Sequence, residues 1–123
     1  MQNNKERAVK FLQLIVSGKI DEAYQKYVDV SGTHHNIFTS AGFPSLQKAM
    51  KENDTQFPNK QLIVKNVLGD GDLVTVHSRL VLKTDEPGMV VVHILRFQNE
   101  KIIEIWDCGQ PIPSDSPNKD GAF

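Results

Sequence analysis

Residues 90–111, VVVHILRFQNEKIIEIWDCGQP, decide how the rest of the chain is arranged. Two apolar runs, 90–97 and 102–108, flank the polar tetrad Gln98-Asn99-Glu100-Lys101, the pattern of an antiparallel hairpin. Both runs are rich in Val, Ile, Phe and Trp, which fit a pleated, largely buried surface. Set into them are His93 and Asp107. An ionisable group is buried at a cost of several kcal/mol unless it is paired or neutralised, so two in one hairpin ask for a reason.

The turn decides whether they meet, because a one-residue slip sends every side chain to the other face. A three-residue loop sets Phe97 opposite Lys101 and His93 opposite Ile105, with Asp107 a diagonal neighbour of His93. A two-residue loop sets Phe97 opposite Ile102 and points the two polar groups to opposite faces. Asn99 tolerates the left-handed backbone of either turn. The three-residue register is preferred, since it also gathers Met89, Val91, Leu95, Phe97, Ile103 and Ile105 beside the polar pair.

Upstream of the hairpin, residues 72–83 alternate cleanly, with Val74, Val76, Leu80 and Leu82 on one side and Thr75, His77 and Arg79 on the other. Pro87-Gly88 turns this strand into the hairpin. A five-residue loop, with Lys83 opposite Met89, would gather His77, Arg79, His93 and Asp107 on one face; otherwise His77 and Arg79 lie on a solvated face. Before it, residues 61–68 form a strand with Leu62, Val64 and Leu68 on one face and Ile63 and Val67 on the other. Gly69-Asp70-Gly71-Asp72 joins the two as a hairpin turn. No helix follows these glycines, so they do not aim a helix N-terminus at a phosphate, and the 12-residue calcium-loop pattern is missing.

The N-terminal half has the helical period. In 4–17, Ala8, Leu12, Ile15 and Val16 share a stripe with Phe11 beside it; Asn3 or Asn4 caps its start and Gly18 ends it. Asp21 opens a second helix over 22–28 that presents Ala23, Tyr24 and Tyr27, the tyrosines being either core residues or hydrogen-bonding pocket walls. Residues 29–42 read as a loop carrying Thr33-His34-His35-Asn36; His35 or Asn36 is either loop surface or pocket rim, and adjacent histidines do not repeat a zinc-site spacing. Ser45 caps a third helix, 46–53, with Leu46, Ala49 and Met50 inward. Three helices followed by about four antiparallel strands describe an α+β domain, with the helices packed on one face of a curved, mostly antiparallel sheet. One domain spans 1–123, and the Pro-, Ser- and Gly-rich tail, 112–123, packs loosely.

Composition narrows the function. The 123 residues are 39% apolar and 24% charged, with a formal net charge of −1, enough for one ordinary core. No basic cluster invites nucleic acid, and no apolar run reaches the roughly 20 residues of a membrane helix. A polar N-terminus without a signal-peptide pattern and a lone Cys108 suit a cytoplasmic protein.

The element order, together with Val74-Thr75-Val76-His77, Phe97-Gln98-Asn99-Glu100-Lys101-Ile102 and Glu104-Ile105-Trp106-Asp107 through Gln110-Pro111, resembles the SnoaL-like polyketide cyclase family of the nuclear transport factor 2-like superfamily. Tyr27 followed by His35-Asn36 is similar to a Tyr…His-Asn segment of that family, with extra residues before the histidine. The resemblance implies a cone-shaped α+β barrel, usually a homodimer through its sheet, with a deep apolar pocket for a small apolar or carbonyl-containing ligand. It assigns the acid/base role to Asp107, which follows Trp106, and a supporting role to His93; many relatives carry an acidic residue at the latter position. Tyr27, His35, Asn36, His77, Arg79 and Trp106 are the candidate substrate contacts, and the resemblance requires no metal or organic cofactor. The implied chemistry is aldol-type cyclisation or proton transfer next to a carbonyl, as in a cyclase, lyase or isomerase. Because this fold also carries binding domains, the alternative is a non-catalytic ligand-binding or dimeric interaction module.

Overall fold

The first helix forms where the apolar stripe and its cap coincide. Asn3 accepts from the Glu6 backbone N–H at 2.9 Å while Glu6 accepts from that of Asn3 at 3.2 Å, a reciprocal capping box that satisfies two otherwise orphaned donors. In the computed structural model, which describes residues 2–123, α1 (Asn4–Val16) buries Ala8, Phe11, Leu12, Leu14 and Ile15. It is followed by α2 (Ile20–Tyr27), β1 (Val28–His34), α3 (Phe43–Gln56), β2 (Gln61–Asp70), β3 (Leu73–Val81), β4 (Met89–Gln98) and β5 (Lys101–Pro111). The sheet runs β1-β5-β4-β3-β2 and is open, with β1 and β2 as its edges. All neighbours are antiparallel except β1 and β5. The α+β reading therefore holds, as an open five-stranded sheet rather than a closed barrel.

One strand was absent from the sequence reading. Residues 28–34, read there mainly as loop, form β1, which runs parallel to β5 with a break in register between Val28 and Thr33. The polar run Asp29–Thr33 has no strand period because it is an edge, exposed at most positions. The third helix begins at Phe43, with Gly42 rather than Ser45 at its N-cap and Pro44 in its first turn.

The core lies between the helices and one face of the sheet. Phe11, Tyr24, Tyr27, Phe43 and Leu46 meet Val74, Val76, Leu95, Phe97, Ile102 and Ile105. Phe11, Tyr24 and Phe43 pack edge to face, with centroids 5.8 and 6.1 Å apart. In β2 a register shift between Val64 and Asn66 resets the alternation, so Val67 joins Leu62 and Val64 against the core while Leu68 turns out to 67% exposure. The sequence period places Leu68 on the face of Leu62 and Val64 and Val67 on the opposite one; a bulge exchanges them.

Candidate functional site

The hairpin that carries His93 and Asp107 closes with two residues, Asn99 and Glu100, both at positive φ (52° and 69°), the backbone a tight primed turn demands. Phe97 pairs with Ile102, as a two-residue loop requires, not with Lys101. The preferred three-residue turn is therefore corrected. So is the consequence drawn from its rival, because a bulge follows: Arg96 pairs with Glu104, leaving Ile103 as the extra residue. The bulge cancels the parity of the turn. His93 then pairs directly with Asp107, and the two share the helix-facing side with the buried Val91, Leu95 and Ile105.

No hydrogen bond or ion pair joins His93 to Asp107 among the described residues. The Asp107 carboxylate is held from the other side, where Asn36 Nδ2 donates to Oδ2 at 3.0 Å and Oδ1 at 3.3 Å. Asn36 is placed by its neighbours. Its own N–H donates to His34 Nδ1 at 3.1 Å, its Oδ1 accepts from the Phe38 N–H at 3.0 Å, and His34 Nε2 bonds the Ser40 carbonyl at 2.8 Å. His34 is buried and contacts Phe43, so it anchors the segment that carries Asn36. Beyond Asn36, Ile37 and Phe38 are 86% and 89% exposed, two apolar side chains in solvent beside the carboxylate's partner.

Burial holds the His93 imidazole below its ordinary value of 6.5, with Asp107 opposing the shift. Its Nδ1 is sealed from solvent without a partner. The folded state therefore binds fewer protons here than the unfolded chain, and this stability is present above about pH 6.5 and lost as the pH falls through the lower folded-state value. Between those two values the loss runs at up to about 1.4 kcal/mol per pH unit. Urea denaturation at pH 7 and pH 5 checks this: His93→Leu is expected to flatten the loss, and an equal pH slope in the variant contradicts it.

The other proposed contacts sit elsewhere. Leu80, not Lys83, pairs with Met89, since β3 stops at Val81 before a connection with Asp85 and Gly88 at positive φ. That odd shift turns His77 and Arg79 to the outer face, correcting their placement beside His93. His77 Nδ1 accepts from Asn66 Nδ2 at 3.0 Å and its ring lies 5.5 Å from that of Phe123, so the end of the tail rests on this face. Arg79 holds the turn, donating to the carbonyls of Pro87 at 2.9 Å and Glu86 at 3.5 Å. Trp106 is also outward; His35 stacks on it at 5.1 Å and bonds Glu104 at 2.7 Å. Tyr27 is buried and its hydroxyl donates to Gln2 at 3.2 Å.

The sequence reading missed Glu104 as the centre of this outer cluster. The bond from His35, assisted by Arg96 Nε at 3.3 Å, holds its carboxyl below the usual range; Arg96 also grips Asp72 through Nη1 at 3.0 Å. Two surface clefts of about 420 and 410 Å³ lie away from Asp107, one beside Arg79 and the 82–88 turn, the other between α1 and Val67; neither is lined by His93 or Asp107. Among the described residues no group of three or more His, Cys, Asp or Glu side chains is arranged to hold a metal ion.

No family model matches the sequence, and no curated protein does. Solved structures do match. A provisionally assigned polyketide cyclase from Bacillus cereus superimposes with a TM-score of 0.74 at 19% identity, over 87% of this chain and 74% of that one. An NTF2-like protein of unknown function from Cytophaga hutchinsonii superimposes at 0.72 and 9% identity, over 90% and 93%. This chain has the nuclear transport factor 2-like fold. A provisionally assigned isomerase of the SnoaL-like family from Agrobacterium tumefaciens matches at 0.69 with 8% identity, over 83% and 93% of the two chains. At these identities the agreement concerns the nuclear transport factor 2-like architecture, and the chemistry has to be argued from the side chains.

Proposed function

We propose that this nuclear transport factor 2-like chain is a small-molecule enzyme that moves a proton next to a ligand carbonyl, in an aldol-type cyclisation or an isomerisation. Asp107 is the acid/base and His93 hydrogen-bonds the substrate. The observation that carries the reading is the direct pairing of His93 with Asp107 on the helix-facing side of the sheet, where Asn36 orients both carboxylate oxygens. A carboxylate positioned in this way contributes roughly 10²–10⁴-fold by general base catalysis, enough for a carbon already acidified by flanking carbonyls. The SnoaL-like and cyclase assignments of structural neighbours support the reaction class, and Ile37 and Phe38 offer an apolar ligand a surface.

Deuterium exchange at the central carbon of 2,4-pentanedione tests it. Acceleration by the native chain that Asp107→Ala lacks supports the reading, and equal acceleration by both sinks it. Binding without exchange in either protein would favour the non-catalytic ligand-binding module.

The proposed partner is a second copy of the chain. Among the described residues no helix covers the outer sheet face, where Val90, Val92, Ile94 and Trp106 stand half-buried; Ile102 is wholly buried on the helix side. An apolar face of this kind favours association. Light scattering during gel filtration should give twice the chain mass for the native protein and the single chain mass for Val92→Glu; a native monomer contradicts it. No described helix is long and apolar enough to cross a membrane, and a cytoplasmic setting is proposed from the single free Cys108.

A further inference from the structure

On β3 the helix-facing positions are Val74, Val76, Ser78 and Leu80. One of the four is polar. Ser78 is 0% exposed, and its Oγ has no hydrogen-bond partner among the described residues. The one other sealed side-chain polar atom without a partner among them is His93 Nδ1. These two atoms belong together. Val76 pairs with His93 and Ser78 with Val91, so Ser78 and His93 are diagonal neighbours on one face of adjacent strands. Such pairs stand about 7–8 Å apart or somewhat less between Cβ atoms. Across the next strand His93 faces Asp107, which Asn36 holds. A polar row thus crosses the apolar face in the order Ser78, His93, Asp107, Asn36.

Buried polar atoms are partnered in nearly all folded proteins, because leaving them bare is unfavourable. A hydroxyl and an imidazole N–H can both donate. We propose that Ser78 and His93 together hold a carbonyl oxygen of the substrate, both donating to it, beside the Asp107 carboxylate. This rests on the acid–base reading and adds to it a catalytic residue, Ser78, and a place for the oxygen. As the C–H proton passes to Asp107, the C–H electron pair becomes the new carbon–carbon double bond and the carbonyl π pair moves onto the oxygen. The two donors meet that charge where it develops. The proton then returns from Asp107 to carbon and the carbonyl re-forms. Burial holds the His93 imidazole below its ordinary value, which favours the neutral ring as donor.

The test uses the full chain with ¹⁵N-labelled histidine, titrated with 2,4-pentanedione and assayed for exchange. The diketone is expected to move the His93 Nδ1 signal. Ser78→Ala is expected to weaken its binding by roughly three- to tenfold, the worth of one neutral hydrogen bond, and to slow exchange at saturation. Ser78→Thr and Ser78→Val supply a pair of equal shape that differs only in the hydroxyl, so any strain they add cancels between them. The Thr variant should bind and exchange faster than the Val variant by the same factor. An unmoved Nδ1 signal, or equal behaviour of Thr and Val, overturns the oxygen site. Exchange that responds to Ser78 but ignores Asp107→Ala leaves the oxygen site standing and removes the acid–base reading; the reverse pattern keeps that reading and removes Ser78.

Discussion

Asp107→Asn is expected to slow deuterium exchange at an activated carbon by about 10²–10⁴-fold while leaving the fold intact. The two side chains have the same shape, so the helix-facing surface beside Ile105 keeps its packing. What disappears is the lone pair that accepts the proton. Asn36 Nδ2 donates to both oxygens of the native carboxylate; an amide offers one oxygen in their place, so one of the two bonds survives and no charge is stranded. The stability change should therefore stay within about 1 kcal/mol, the net worth of one hydrogen bond, and urea denaturation checks it. Rate loss with retained stability identifies Asp107 as the base. Parallel loss of both would mean that the carboxylate serves the architecture, and an unchanged rate would remove it from the chemistry.

Gly32→Ala is expected to destabilise the chain by about 3 kcal/mol or more, beyond the usual range for overpacking. The cause is space, not backbone freedom. A Cβ on Gly32 would stand 2.2 Å from the Ile103 carbonyl oxygen and 2.9 Å from the Phe43 ring. The first contact is with backbone, which cannot rotate aside. Ile103 is the bulged residue of β5, so its carbonyl is pushed toward β1 where only a glycine fits. Relief requires β1 to separate from β5, which would also carry His34 and Asn36 away from Asp107. Denaturant unfolding should show the midpoint falling steeply, and NMR should show the Asn36 amide losing its carboxylate environment. A loss under about 1 kcal/mol would mean that β1 yields at little cost and that this crossing does not anchor the site.

Both predictions depend on a bulge that alternation could not reveal. The sequence by itself determined the α1 stripe with its Asn3–Glu6 cap, the helix-to-strand change near Gln61, and the β4–β5 hairpin around Asn99, because each is written in local periods and turn chemistry. It also singled out His93, Asp107 and Asn36 by residue type. Ser78 was passed over, although it is the one polar position in the inward row of Val74, Val76 and Leu80.

Tertiary structure decided the register. One unpaired residue reverses every side chain beyond it, and nothing in the composition of Ile102-Ile103-Glu104 distinguishes the bulged residue from a paired one. The same arithmetic moved His77 and Arg79 outward, through a β3–β4 connection longer than its Pro-Gly signal suggested. β1 was hidden for a different reason. An exposed parallel edge strand needs no apolar alternation, and its hydrogen bonds come from β5, some 70 residues away in the chain. That long-range pairing carries Asn36 to Asp107, so the partner of the proposed base exists only once the sheet has assembled.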